Sequence, residues 1–150
     1  MTRTLVIGYG NPGRQDDGIG PAAAAAIDRL GLPGVTTADE YQLAIEDAVE
    51  IAAHDIVWFV DATREGDEAC AVRKLSPEFG FGFTSHLLKP ETLLAIVEQQ
   101  FQRRPAAYLL GIRGYEFDFA EGLSAQAARN LAQAVELLRR EIGACVEAVR

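Results

Sequence analysis

Apolar residues along the chain gather in two kinds of run. Some are short and unbroken, closed by glycine or an acid; others are longer and recur every three or four positions. Thr4–Gly8 (TLVIG) is the first short run and predicts a buried strand. Val35–Asp39 (VTTAD) predicts a second, and Ile56–Val60 (IVWFV) a third that stops abruptly at Asp61. Cys70–Leu75 alternates moderately, as a short edge strand does, and Tyr108–Ile112 predicts the last strand. Between these the period lengthens. Asp17–Leu30 predicts a helix with Pro21 near its start and a run Ala22–Ala26 small enough to lie close on a sheet. Ala44–Ala53 predicts a helix with Ile45, Val49 and Ala52 on one face, and Pro90–Gln102 one with Leu93, Leu94, Val97 and Phe101 at helical spacing. The closing helix runs from Ser124, a good N-cap, towards Val149. Its Leu131, Val135, Leu138, Ile142 and Cys145 or Val146 form one stripe, which places Cys145 in the core. Strands alternating with helices predict one α/β domain over residues 1–150. Its three layers are a mostly parallel, doubly wound sheet of about five strands with helices on both faces.

Composition narrows the partners. A net charge of −8 supplies no basic surface, so neither nucleic acid nor an anionic membrane is an expected partner. The two cysteines, Cys70 and Cys145, are far apart and form neither a disulfide framework nor a zinc motif, which suits a reducing compartment. The first strand begins almost at the N-terminus, leaving no room for a signal peptide, and no apolar run approaches the ~20 residues that span a bilayer. The expected location is the cytoplasm. Nothing in the pattern argues for self-association, so a monomer is expected.

Ligands of doubly wound sheets collect at the carboxyl ends of the strands, where the strand order reverses. The loop after the first strand reads GYGNPGRQDDGIG, residues 8–20. Gly8, Gly10 and Gly13 match the dinucleotide fingerprint, and Asp39 or Glu40 closes the second strand where a ribose-binding acid would sit. The chemistry of the loop opposes that reading. Pro12 removes an N–H from a loop whose task would be to donate them. Asp16 and Asp17 put carboxylates where a helix N-terminus would receive pyrophosphate. A plainer role for one or both is capping of the following helix. Gly8 and Gly10 would let the backbone turn tightly and approach a substrate, and Asn11 would fix that turn with its side chain.

Asp61, ending an apolar strand, is expected at the same sheet edge as Asp17. His86, in Thr84-Ser85-His86-Leu87, sits in the loop before the Pro90 helix. Two carboxylates and an imidazole with open positions suit a borderline divalent ion such as nickel, zinc or manganese. His54, at a predicted helix C-terminus, reads instead as a complement to the helix dipole. Phe79, Phe81 and Phe83, interleaved with Gly80 and Gly82, are either an apolar rim for a partner or rings folded onto the core.

Taken in order, several segments resemble one family. They are Gly8-x-Gly10-Asn11 followed by Asp16-Asp17-Gly18-x-Gly20, then Gln42-Leu43, Val57–Ala62 with its aspartate, and Thr84-Ser85-His86. Gly114-Tyr115-Glu116-Phe117 and Glu121-Gly122-Leu123-Ser124 complete the set. The pattern is similar to that of the nickel–iron hydrogenase maturation proteases and spans essentially the whole chain. The resemblance implies an endopeptidase that removes a short C-terminal peptide from the precursor of a hydrogenase large subunit after nickel insertion. It implies metal contact and catalysis by Asp17, Asp61 and His86, with Gly8, Gly10, Asn11, Asp16 and Gln42 shaping the substrate loop. Some members carry glutamate where this chain has Asp17. The nickel would be presented by the substrate, with no organic cofactor. Asp17 and Asp61 are then metal contacts, or one is the base that activates water. The rival readings are a dinucleotide-binding oxidoreductase fragment and a non-catalytic nickel-binding assembly factor.

Overall fold

The computed structural model describes residues 1–79 and 88–148. Five strands form one sheet: β1 (Thr4–Tyr9), β2 (Val35–Glu40), β3 (Ile56–Thr63), β4 (Cys70–Leu75) and β5 (Ala106–Arg113). Their order is β2-β1-β3-β5-β4. All neighbours run parallel except β4, which pairs antiparallel with β5 at the edge. Among the described residues four α-helices pack on them: α1 (Ile19–Leu30), α2 (Asp47–Ala52), α3 (Pro90–Phe101) and, after the last strand, α4 (Ala125–Ala148). The expected class, a mostly parallel α/β sheet covered on both faces, is the observed one.

The period-two alternation of the central strands sorts their side chains between two cores. Leu5, Ile7, Val57 and Phe59 point to one face, where α2 and α3 supply Ala48, Ile51, Leu93, Leu94 and Val97. Val6, Trp58 and Val60 point to the other, against Ile19, Ala23 and Ile27 of α1 and Ala127, Ala134 and Leu138 of α4. Because both faces are buried, the strands read as unbroken apolar runs. The chain leaves β1 for β2 through α1 and reaches β3, on the opposite side of β1, after α2. The order therefore reverses at β1, and the crevice between the carboxyl ends of β1 and β3 is the switch point. Among the described residues, no helix is long and apolar enough to cross a membrane.

Two glycines set how closely α1 lies on the sheet. A Cβ on Gly8 would stand 2.0 Å from the Gly20 carbonyl oxygen. One on Gly20 would stand 2.5 Å from the carbonyl oxygens of both Tyr9 and Val60. All these obstacles are backbone, so relief requires moving the helix. Gly8 thus serves helix–strand packing. Gly8→Ala is expected to cost about 3 kcal/mol or more, at the upper end of overpacking penalties. Gly143→Ala is its control. Gly143 is an exposed helical glycine with open space around its Cβ position, and the change should stabilise by roughly 0.5–1 kcal/mol. Urea denaturation of the two variants checks both signs.

Several sequence expectations need correction. The third strand does not stop at Asp61: it continues to Thr63, pairing Asp61 with Gly111 and Thr63 with Arg113. The second helix starts at Asp47, after a turn in which the Ala44 N–H donates to Asp47 Oδ2 at 2.8 Å. Leu43, just before that turn, takes the core position, and Ala48 and Ile51 follow it inward. The predicted face is consequently wrong, with Ile45 62 % and Val49 60 % exposed. In α4 the buried line is Ala127, Asn130, Ala134, Leu138 and Ile142, with Leu131 and Val135 on its flank. Small residues at its centre let the helix approach. Cys145 is only half-buried. A 24-residue helix runs about 36 Å, longer than the roughly 27 Å of an eight-residue strand. His54 is buried with Nδ1 2.6 Å from the Glu50 carbonyl oxygen, where it closes the last turn of α2.

Candidate active site

The loop leaving β1 is shaped by short-range bonds. Gly10 has φ +144°, and a Cβ there would stand 2.0 Å from the Asp17 carbonyl oxygen, so only glycine passes. Asn11 Oδ1 accepts the Gly13 N–H at 2.8 Å, the expected side-chain-fixed turn. The Asn11 N–H donates to Asp17 Oδ2 at 2.8 Å. That bond decides between two readings of the loop. A backbone N–H that a pyrophosphate would need is already held by the protein's own carboxylate.

The neighbouring Asp16 behaves differently. It is fully buried, and its carboxylate accepts the Tyr115 N–H (2.8 Å), the Glu116 N–H (3.0 Å), the Ser124 N–H (2.7 Å) and the Ser124 hydroxyl (2.7 Å). Burial pushes its pKa up, but the backbone bonds from Glu116, Tyr115 and Ser124 outweigh that and hold it below the usual carboxylate range. Neither aspartate caps α1 through its side chain, so the capping expectation fails. Ser124 does cap α4, its Oγ accepting the Ala127 N–H at 3.3 Å. Around Asp16 the segment 114–124 is stitched to the first loop: Gln15 N–H to Ala120 O at 2.9 Å, and Arg14 Nη2 to Phe117 O at 3.1 Å. The two motif halves at Asp16-Asp17 and Gly114–Ser124 are therefore one structural unit.

Above this base lies a crevice of about 360 Å³ whose walls include Tyr9, Gly10, Asn11, Asp17, Gln42 and Asp61. Tyr41, Leu43, Arg14 and Leu88 complete them. Asp61 stands on β3 with Oδ1 accepting the Ala62 N–H at 2.8 Å. Burial pushes its pKa up to about 6; the Ala62 bond opposes this, the charge of Asp17 adds to it, and the Tyr9 hydroxyl opposes it. Burial likewise drives the Tyr9 phenol far above its ordinary value, and Asp61 adds to the effect. On β2, Glu40 is pushed up to about 7 by burial, then by Asp47 and other nearby acids.

Of the residues expected to form the site, Asp17, Asp61, Gly10, Asn11 and Gln42 line one crevice. Gly8 packs behind it and Asp16 lies beneath it. His86, Phe81 and Phe83 lie outside the described residues, and Phe79 is 52 % exposed. Among the described residues, no three His, Cys, Asp or Glu side chains stand close enough together to hold a metal ion. The sequence offered no sign of Tyr9 or Arg14 as crevice residues, because neither apolar nor basic character marks a wall position.

The fold, with two carboxylates at the switch point of a doubly wound sheet, is one that solved peptidases share. More particularly, those solved structures are hydrogenase maturation proteases. The chain is similar to the NiFe hydrogenase maturation protease HycI from Thermococcus kodakarensis KOD1, with TM-score 0.72 and 25 % identity over 91 % of this chain and 90 % of that one. It is similar in fold to the hydrogenase maturating endopeptidase HybD from E. coli, with TM-score 0.70 and 19 % identity over 91 % and 90 %. The hydrogenase 2 maturation peptidase from a Thaumarchaeota archaeon aligns with TM-score 0.69 and 19 % identity over 95 % and 99 %. No protein-family model matches the chain, and no curated protein does.

Proposed function

We propose that this protein is the endopeptidase that removes a short C-terminal peptide from the precursor of a nickel–iron hydrogenase large subunit once nickel has been inserted. The observation that carries the proposal is the convergence of Asp17, from the loop after β1, and Asp61, from β3, on one crevice at the switch point. The nickel is part of the substrate and acts as the recognition element. Asp17, oriented by the Asn11 N–H, offers it an oxygen, and His86 completes the contact, as the family resemblance implies. Nickel so held polarises the neighbouring peptide carbonyl. Asp61 is the general base: with a pKa near 6 it is ionised at neutral pH yet basic enough to take a proton from the attacking water. Oxygen from that water bonds to the scissile carbonyl carbon, the C–N bond breaks, and the proton passes to the departing amine. The protein works as a monomer in the cytoplasm, without an organic cofactor.

The test is the intact mass of a nickel-loaded precursor before and after incubation, beside a nickel-free control. Loss of a C-terminal peptide from the loaded precursor alone is the expected result. Unchanged mass in both, with binding demonstrated, would make the protein a non-catalytic assembly factor. Cleavage of both would remove nickel as the recognition element.

A further inference from the structure

The correction at α2 leaves two aliphatic side chains unexplained by folding. Ile45, in the turn that leads into α2, and Val49, in its first turn, are both more than half exposed. A β-branched valine is a poor choice for a solvent-facing helical position, where its χ1 freedom is lost without burial in return, and an exposed isoleucine precedes it. Tyr41, 68 % exposed and four residues before Ile45 in the chain, lines the crevice itself. Around them stand Glu46 and Glu50, both exposed. An apolar strip inside an acidic rim has the anatomy of a docking surface: apolar anchors at the centre, charges at the edge.

We infer that the exposed surface at the start of α2, with Ile45 and Val49, together with Tyr41 at the crevice, is where the substrate precursor docks, through apolar side chains set among lysines or arginines. The inference rests on the proposed function, since it assigns the occupant as the protein cut in the adjoining crevice. Charge selects that occupant over a second copy of this chain. A copy carries the same −8 net charge and the same glutamate rim, so two such faces repel, whereas a basic face is drawn in. Docking here places the body of the precursor beside the crevice and leaves its tail to enter past Tyr41.

The full chain carrying Ile45→Ser and Val49→Ser tests this, because neither side chain belongs to the core. Binding of the nickel-loaded precursor and its processing are measured separately. The expected result is a rise of tenfold or more in both the dissociation constant and KM, with kcat and melting temperature unchanged. Glu46→Lys with Glu50→Lys should weaken binding similarly and abolish its salt dependence. Unchanged KM and affinity in both double variants overturn the inference, whatever the fate of the protease reading. So does sedimentation showing a wild-type dimer that Ile45→Ser with Val49→Ser dissociates. If the wild type binds the precursor without shortening it, and the serine variant loses that binding, docking stands and the protease reading falls.

Discussion

Asp16→Ala is expected to destabilise the protein by about 3–5 kcal/mol, the range for stripping one partner from a buried charged cluster. Three backbone N–H groups and a hydroxyl converge on this carboxylate. An alanine leaves them buried without an acceptor, and each such loss costs more than the bond itself contributed. Set against a usual total of 5–15 kcal/mol, the variant should be marginal at 25 °C and its crevice loop loose. Asp16→Asn keeps the shape and one acceptor oxygen, so it should lose roughly half as much. The pH dependence has a definite sign. The folded pKa lies below the unfolded value of about 4, so the contribution is fully present above that value. It fades as pH falls through the folded pKa. Urea midpoints of wild type and Asp16→Asn should therefore converge in acid. A constant gap down to strongly acidic pH would contradict the hydrogen-bond account.

The second large effect runs in opposite directions for activity and stability. Asp61→Asn should reduce precursor processing by about 10²–10⁴-fold, the usual worth of a general base. It should also make the free protein more stable at pH 8, by roughly 1–2 kcal/mol. Burial raises the Asp61 pKa to about 6, above the unfolded value of about 4. In the window between those values the native state holds a proton that the unfolded chain has released. Stability thus increases as pH falls from 6 towards 4, and the penalty of the buried charge is complete above pH 6. Asparagine removes that charge. Melting temperatures at pH 8 and pH 4.5 check the sign: the variant should gain at pH 8 and gain nothing at pH 4.5. Processing at the wild-type rate would remove Asp61 from the reaction.

The sheet was legible because strands buried on both faces leave uninterrupted apolar runs, as in IVWFV, and because the parallel order follows from alternation with helices. Asp17 and Asp61 were legible for the same reason, since topology brings the ends of β1 and β3 together. The face of α2 was not. Ile45 and Val49 fit an inward stripe as well as Ala48 and Ile51 do, and only the turn held by Asp47 decides the phase. Nor does an Asp-Asp pair announce that one carboxylate lines a crevice while its neighbour vanishes into a web of bonds from a segment about a hundred residues away. Tyr9 was hidden by being a strand residue, its hydroxyl placed by the register that sets Gly8 beside Val60.

That span of about a hundred residues between Asp16 and its partners governs when the molecule becomes competent. During synthesis the first loop emerges early and β3 follows, yet nothing holds Asp16 until residues 114–124 have been made. Such distant contacts are slow to close. The crevice is therefore finished among the last events of folding. A half-made chain carries both carboxylates, one of them on a loop whose buried anchor still lacks its partners.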